Sequence, residues 1–254
     1  MWPSCYTGNA NNNKNIRGNT LNNLYKNVAG RIEDLILAIV ALGILVVSIE
    51  YIQFYLYHRE LNLDTHGFIQ RIVLFLVVIL FTSYYFLAYS AYFSHNDTDD
   101  NLSNLCSLRL ITMYILDLIQ VTLAALPYAI LLIGTLSSAP DQFNSWKPGE
   151  FIALKISLNQ MHLLFVIMMC WHLVVYAWYM VASGDQSSKR LHLGYTACYV
   201  LLAMQSAYAP QWAEKSPFFV WGLIGVYMLL VLSLYLSKGK QDVQRAIDFG
   251  KHAA

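Results

Sequence analysis

Six times along this 254-residue chain, about 18 or more mostly apolar residues follow one another. Runs of that length match a hydrocarbon core of roughly 30 Å, crossed at 1.5 Å per helical residue. Lipid offers no hydrogen bonds, so each run must satisfy its backbone internally and is expected to be a helix. The spans read as Leu35–Tyr57, Phe68–Phe93, Leu108–Leu136, Ile152–Ala182, Leu191–Ala209 and Pro217–Leu236. The second, third and fourth exceed the minimum, which implies tilt or extension into the interface. Pro127 removes one ladder hydrogen bond and is expected to kink the third span. No internal repeat is visible. The fold class is all-α: a polytopic transmembrane helix bundle of about six spans, with an amphipathic N-terminal helix.

Composition agrees. Only 12% of residues are charged and 57% are hydrophobic, whereas a soluble domain carries about a quarter charged residues. Many of the 18 tyrosines fall near span ends, where an apolar ring and a polar tip are both satisfied. Tyr84, Tyr85, Tyr89 and Tyr92 read as such anchors. A net charge of +1 leaves no nucleic-acid footprint. Cys5, Cys106, Cys170 and Cys198 show no paired spacing, and Cys in an apolar span packs as a small hydrophobe.

Outside the bundle, residues 1–20 form a polar tail rich in asparagine, expected to be disordered. It lacks the charged stub and apolar core of a cleavable signal. Over 21–34, Leu21, Leu24, Tyr25, Val28 and Ile32 recur at helical spacing, an amphipathic interfacial helix. The bundle occupies 35–237, and 238–254 is a basic cytoplasmic tail with a short surface helix over Gln241–Phe249. Its Lys238, Lys240, Arg245 and Lys251 suit anionic lipid. Orientation follows from the basic residues. One side holds Lys14, Arg17, Lys26, Arg31, Arg109, Lys189, Arg190, Lys238, Lys240, Arg245 and Lys251; the other has Arg59, Arg71, Lys147, Lys155 and Lys215. The positive-inside rule then places both termini in the cytoplasm. Two glycosylation sequons, at Asn96 and Asn101, pull the other way, but chance matches are unsurprising in an Asn-rich chain.

Chemistry is sought among polar groups inside the spans, because an intramembrane ionisable residue is costly and marks function by default. Glu50 lies in the first span with Gln53 and Tyr57 on its face. Asp117 lies in the third, with Gln120 one turn on. His162 and His172 lie in the fourth, with Lys155 and Asn159 above them. At 1.5 Å per residue, Glu50 and His162 sit about 12 and 14 Å below the outer surface. Asp117 and His172 sit about 13 and 15 Å above the inner one. If spans one, three and four are neighbours, Glu50, Asp117, Gln120, Asn159, His162 and His172 form a stepwise track suited to protons. The same side chains equally suit a helix-locking role, since interhelical polar contacts contribute about 0.6 kcal/mol on average.

Other patterns carry less. The acidic stretch from His95 to Asp100 lacks calcium-loop spacing. Met161, Met168, Met169 and Met180 suit packing better than soft-metal ligation. The sequence names no cofactor and no metal: a two-haem bundle needs histidines on four spans, whereas His162 and His172 share one. No nucleophile elbow, zincin pair or P-loop occurs, so no enzyme class is positively supported. Two functions follow. One is ion or proton transport through the acid–histidine path, as a homo-oligomer in the lipid bilayer, because so small a monomer leaves little room for alternating access. The other is a noncatalytic anchor or assembly subunit among other membrane subunits of a larger complex, redox complexes included.

Overall fold

The computed structural model describes residues 31–32, 34–49, 51–52, 65–95, 107–131, 156–182, 186–209, 213 and 216–252. Among them the regular structure is helical throughout. The helices are α1 (Asp34–Ile49), α2 (Thr65–His95), α3 (Ser107–Leu131), α4 (Leu158–Val181), α5 (Gln186–Ala207) and α6 (Pro217–His252). Four stretches are long and apolar enough to cross a membrane: His66–Tyr89, Leu108–Leu131, Leu158–Val181 and Phe218–Ser237. The protein is accordingly a helical membrane protein.

The other two expected spans come out differently. The apolar part of α1 is shorter than a full crossing within the described residues. α5 opens on Gln186, Ser187, Ser188, Lys189 and Arg190, whose transfer into hydrocarbon is unfavourable. Its polar face is turned inward instead, onto α4. Glu50, most of the amphipathic segment over 21–34, the polar tail and both sequons lie outside the described residues. The separate surface helix expected over Gln241–Phe249 is not separate: α6 runs unbroken through Gly239 to His252.

α4 is the central element. It packs most extensively on α5, next on α3, and also touches α6, while α2 lies against α6 and α3. Buried residues occur around most of its circumference, Phe165, Met168, Trp171 and His172 among them. Its start is set locally. Ser157 accepts from the Gln160 backbone N–H at 3.2 Å, and the Gln160 side chain accepts from the Ser157 N–H at 3.0 Å. This reciprocal box satisfies two orphan donors of the first turn and starts the helix six residues later than Ile152.

The C-terminal end of α3 is held by three other helices or their extensions. Tyr51 Oη donates to the Leu131 carbonyl at 3.3 Å, and the Arg71 guanidinium donates to the same oxygen at 3.2 Å. Gln160 Nε2 donates to the Ile130 carbonyl at 3.3 Å. The last carbonyls of a helix lack intrahelical donors and carry its negative dipole end, so a cation there is favourable. Arg71 is fully buried within α2, so it is a cap rather than the loop charge assumed in counting basic residues. Pro127 lies inside α3, one turn before Leu131. Its missing N–H frees the Leu123 carbonyl from the ladder.

α1 meets α3 closely at Gly43. A Cβ added at Gly43 would fall 2.7 Å from the Tyr128 ring of α3, closer than carbon atoms pack. The ring cannot swing aside without breaking the 2.8 Å bond between Tyr128 Oη and Thr82 Oγ1 of α2. Gly43→Val is therefore expected to lower stability by about 1–3 kcal/mol through overpacking. Thermal unfolding in detergent checks it, and an unchanged midpoint would mean that α1 is free to move away.

Candidate functional site

Asp117 is the eleventh residue of α3, roughly 15 Å along the axis from Ser107. It is 1% exposed. Tyr89 Oη of α2 donates to its Oδ2 at a long 3.5 Å, while Oδ1 has no hydrogen-bond partner among the described residues. Beside it lies a cavity of about 40 Å³ lined by residues of α2, α3, α4 and α5. The lining includes Tyr85, Gln120, Trp171, Trp178 and His192. Tyr85 Oη and Trp171 Nε1 are likewise buried without a partner among the described residues. Buried polar atoms are seldom left unpaired. A water occupies roughly 10–15 Å³ on this measure, so the cavity takes two or three. Water there would satisfy all three orphans at once.

The cavity leads to a histidine pair. His192, on α5, lines it, and the Nδ1 of His192 stands 3.0 Å from the Nδ1 of His172. Two facing ring nitrogens at this separation require one to donate and the other to accept, which the two tautomers of neutral imidazole allow. The His172 ring is stacked on Tyr195 and Tyr199, with interplanar angles of 13° and 21°, and meets the edge of Trp171. These aromatic walls fix its orientation. Its Nε2 is buried with no partner among the described residues.

Of the residues predicted from sequence, Asp117 and Gln120 share the cavity, and His172 joins them through His192. His162 and Asn159 do not join. His162 lies ten residues from His172, about 15 Å along α4. Its Nδ1–H donates to the Ala203 carbonyl of α5 at 2.9 Å, with Ser206 Oγ alongside at 3.4 Å. Asn159 is exposed in the first turn of α4, because the capping box places that turn at the helix end. Between the two histidine layers lie Phe165, Met168 and Tyr227, all fully buried, with Tyr227 Oη donating to Met168 Sδ at 3.6 Å. The polar track is thus continuous at one end of α4 and interrupted by a largely apolar layer toward the other.

His192 was missed because it stands near the start of the fifth apolar run, next to Lys189 and Arg190, and reads as an interfacial residue. The signal was present. His192, Tyr195, Tyr199, Leu202, Ala203 and Ser206 recur at helical spacing, and that stripe is the buried face of α5. Arg109 closes the same end of the bundle. Its Nε and one terminal nitrogen both donate to the Val181 carbonyl, at 3.1 and 2.5 Å, capping α4.

The fold and site together define a helical membrane protein with a buried carboxylate and a histidine pair around a small polar cavity. No family model matches the chain, and no curated protein or solved structure was found to be similar to it.

Proposed function

We propose that this protein moves a proton or a small cation through the membrane, with Asp117, the cavity and the His192–His172 pair as the intramembrane relay. One observation carries the reading: a buried carboxyl oxygen without a partner among the described residues lies beside a small cavity that is also lined by His192, itself 3.0 Å from the Nδ1 of His172. Carboxyl, water and imidazole are groups that exchange protons by rotating and re-pairing hydrogen bonds, and ionisable groups of this kind line proton paths in membranes. The layer of Phe165, Met168 and Tyr227 argues against a permanently open pore. It favours a gated step, in which movement of α4 against α5 connects the two ends in turn. Both termini face the cytoplasm in this proposal, and the functional unit is a homo-oligomer.

Reconstitution tests it. Purified protein in liposomes carrying an internal pH dye is expected to dissipate an imposed proton gradient. His192→Ala and His172→Ala should remove that activity, whereas His162→Ala should keep most of it, since its imidazole serves as a tie to α5. Equal rates in all three variants and wild type would overturn the assignment. The second reading, a noncatalytic assembly subunit, draws support from that same His162 tie and from the caps on α3, which are helix-locking uses of polar groups. It predicts that the chain purifies from its native membrane with other subunits and leaves proton gradients intact.

A further inference from the structure

The cavity wall has a composition that a water pocket alone does not require. Six aromatic side chains line it: Tyr84, Tyr85, Tyr89, Trp171, Trp178 and Tyr179. They are locked against one another edge to face, Tyr85 on Tyr89 and on Trp171, and Trp178 on Tyr179. The lining also holds one carboxyl group, Asp117, whose Oδ1 has no hydrogen-bond partner among the described residues. Aromatic walls with one carboxylate attract cations that carry N–H or N–CH₃ groups: ring faces supply negative potential, and the carboxylate accepts a charge-assisted hydrogen bond.

We infer that the cavity between α2, α3, α4 and α5 is a binding site for ammonium or its smallest methylated relative. The inference rests on the cation-transport reading and names its substrate class. Size sets the limit. About 40 Å³ holds two or three water-sized occupants, so ammonium with a companion water fits, methylammonium fits alone, and tetramethylammonium does not. Donors and acceptors also match. The Asp117 Oδ1, the Tyr85 hydroxyl oxygen and the Gln120 amide oxygen offer acceptors for the ammonium N–H groups. The Trp171 indole N–H, which can only donate, is served by the companion water. Sodium is a poorer occupant, because it has no N–H groups to donate to these acceptors.

The test is binding of radiolabelled methylammonium to the purified full-length protein by scintillation proximity, at constant ionic strength. Saturable binding is expected, displaced by ammonium chloride and not by tetramethylammonium or sodium chloride. Asp117→Asn, which keeps the side-chain shape, should weaken it about tenfold or more. The competition profile of the wild-type protein stands without the variant, should the variant fail to fold. Absence of saturable binding, or displacement by sodium as readily as by ammonium, overturns the inference. If binding is absent while liposomes still dissipate a proton gradient, the transport reading survives with a water-filled cavity. If binding is present and neither protons nor methylammonium cross, the site stands and the transport reading falls.

Discussion

In reconstituted vesicles, Asp117→Asn is expected to reduce proton flux by about 100-fold or more, the magnitude typical of losing a positioned proton-transfer group. The physical case is loss of an ionisable group without loss of side-chain shape. Asparagine keeps an oxygen that can accept from Tyr89 Oη, so the contact between α2 and α3 persists. What disappears is the exchangeable carboxyl proton. Membrane insertion and the thermal midpoint should therefore stay close to wild type while flux is lost. That combination separates a transport role from a locking role, for which flux and stability would fall together or not at all. Wild-type flux in Asp117→Asn would sink the relay.

Trp171→Ala is expected to produce the largest stability loss of any single truncation near the site, about 3–5 kcal/mol. The indole is 2% exposed and sits at a crossing of three helices. Its ring centroid is 5.0 Å from that of Phe81 and 5.5 Å from that of Tyr85, both on α2, and 6.1 Å from that of His192 on α5. Each contact is edge to face or nearly so, which adds to the loss of packed area. Removing the ring would also merge its volume with the cavity, leaving the His172 edge unsupported. Trp171→Phe should recover more than half of the loss. Unfolding in mixed detergent, followed by circular dichroism, measures both; a loss under about 1 kcal/mol would mean that the neighbours collapse into the space.

Hydropathy made the membrane class legible because the bilayer imposes a length and a polarity that few other settings do. The second, third, fourth and sixth expected spans each overlap a helix that meets both conditions. Span ends were less legible. Ile152–Lys155 continue the hydrophobic run, yet the Ser157–Gln160 box fixes the helix start, and local hydrogen bonding overrides hydropathy there. Asp117 and Gln120 could be named because a carboxylate in an apolar run has few alternatives. His162 and His172 looked equivalent by depth alone. They differ because α5 offers one a carbonyl and the other an imidazole, and sequence does not reveal which turn of α5 faces which turn of α4. Arg71 shows the same limit: near the end of an apolar run it passes for an interfacial charge, whereas its partner is a carbonyl sixty residues away.

One further consequence comes from the length of α6. At 1.5 Å per residue its 36 residues extend about 54 Å, while Phe218–Ser237 alone matches a hydrocarbon core of about 30 Å. The remaining fifteen residues project roughly 22 Å past the apolar window as one unbroken rod. Inside the bundle the same rod carries Tyr227, in the layer that separates the two histidine levels, and Tyr235, whose hydroxyl is bonded to the Leu80 carbonyl of α2 at 2.8 Å. In the relay proposed above, a pull or tilt applied at the far end would be delivered mechanically to the layer of Phe165, Met168 and Tyr227. Under that proposal the helix would work as a handle, and whatever grips its far end would hold a lever on the gated step.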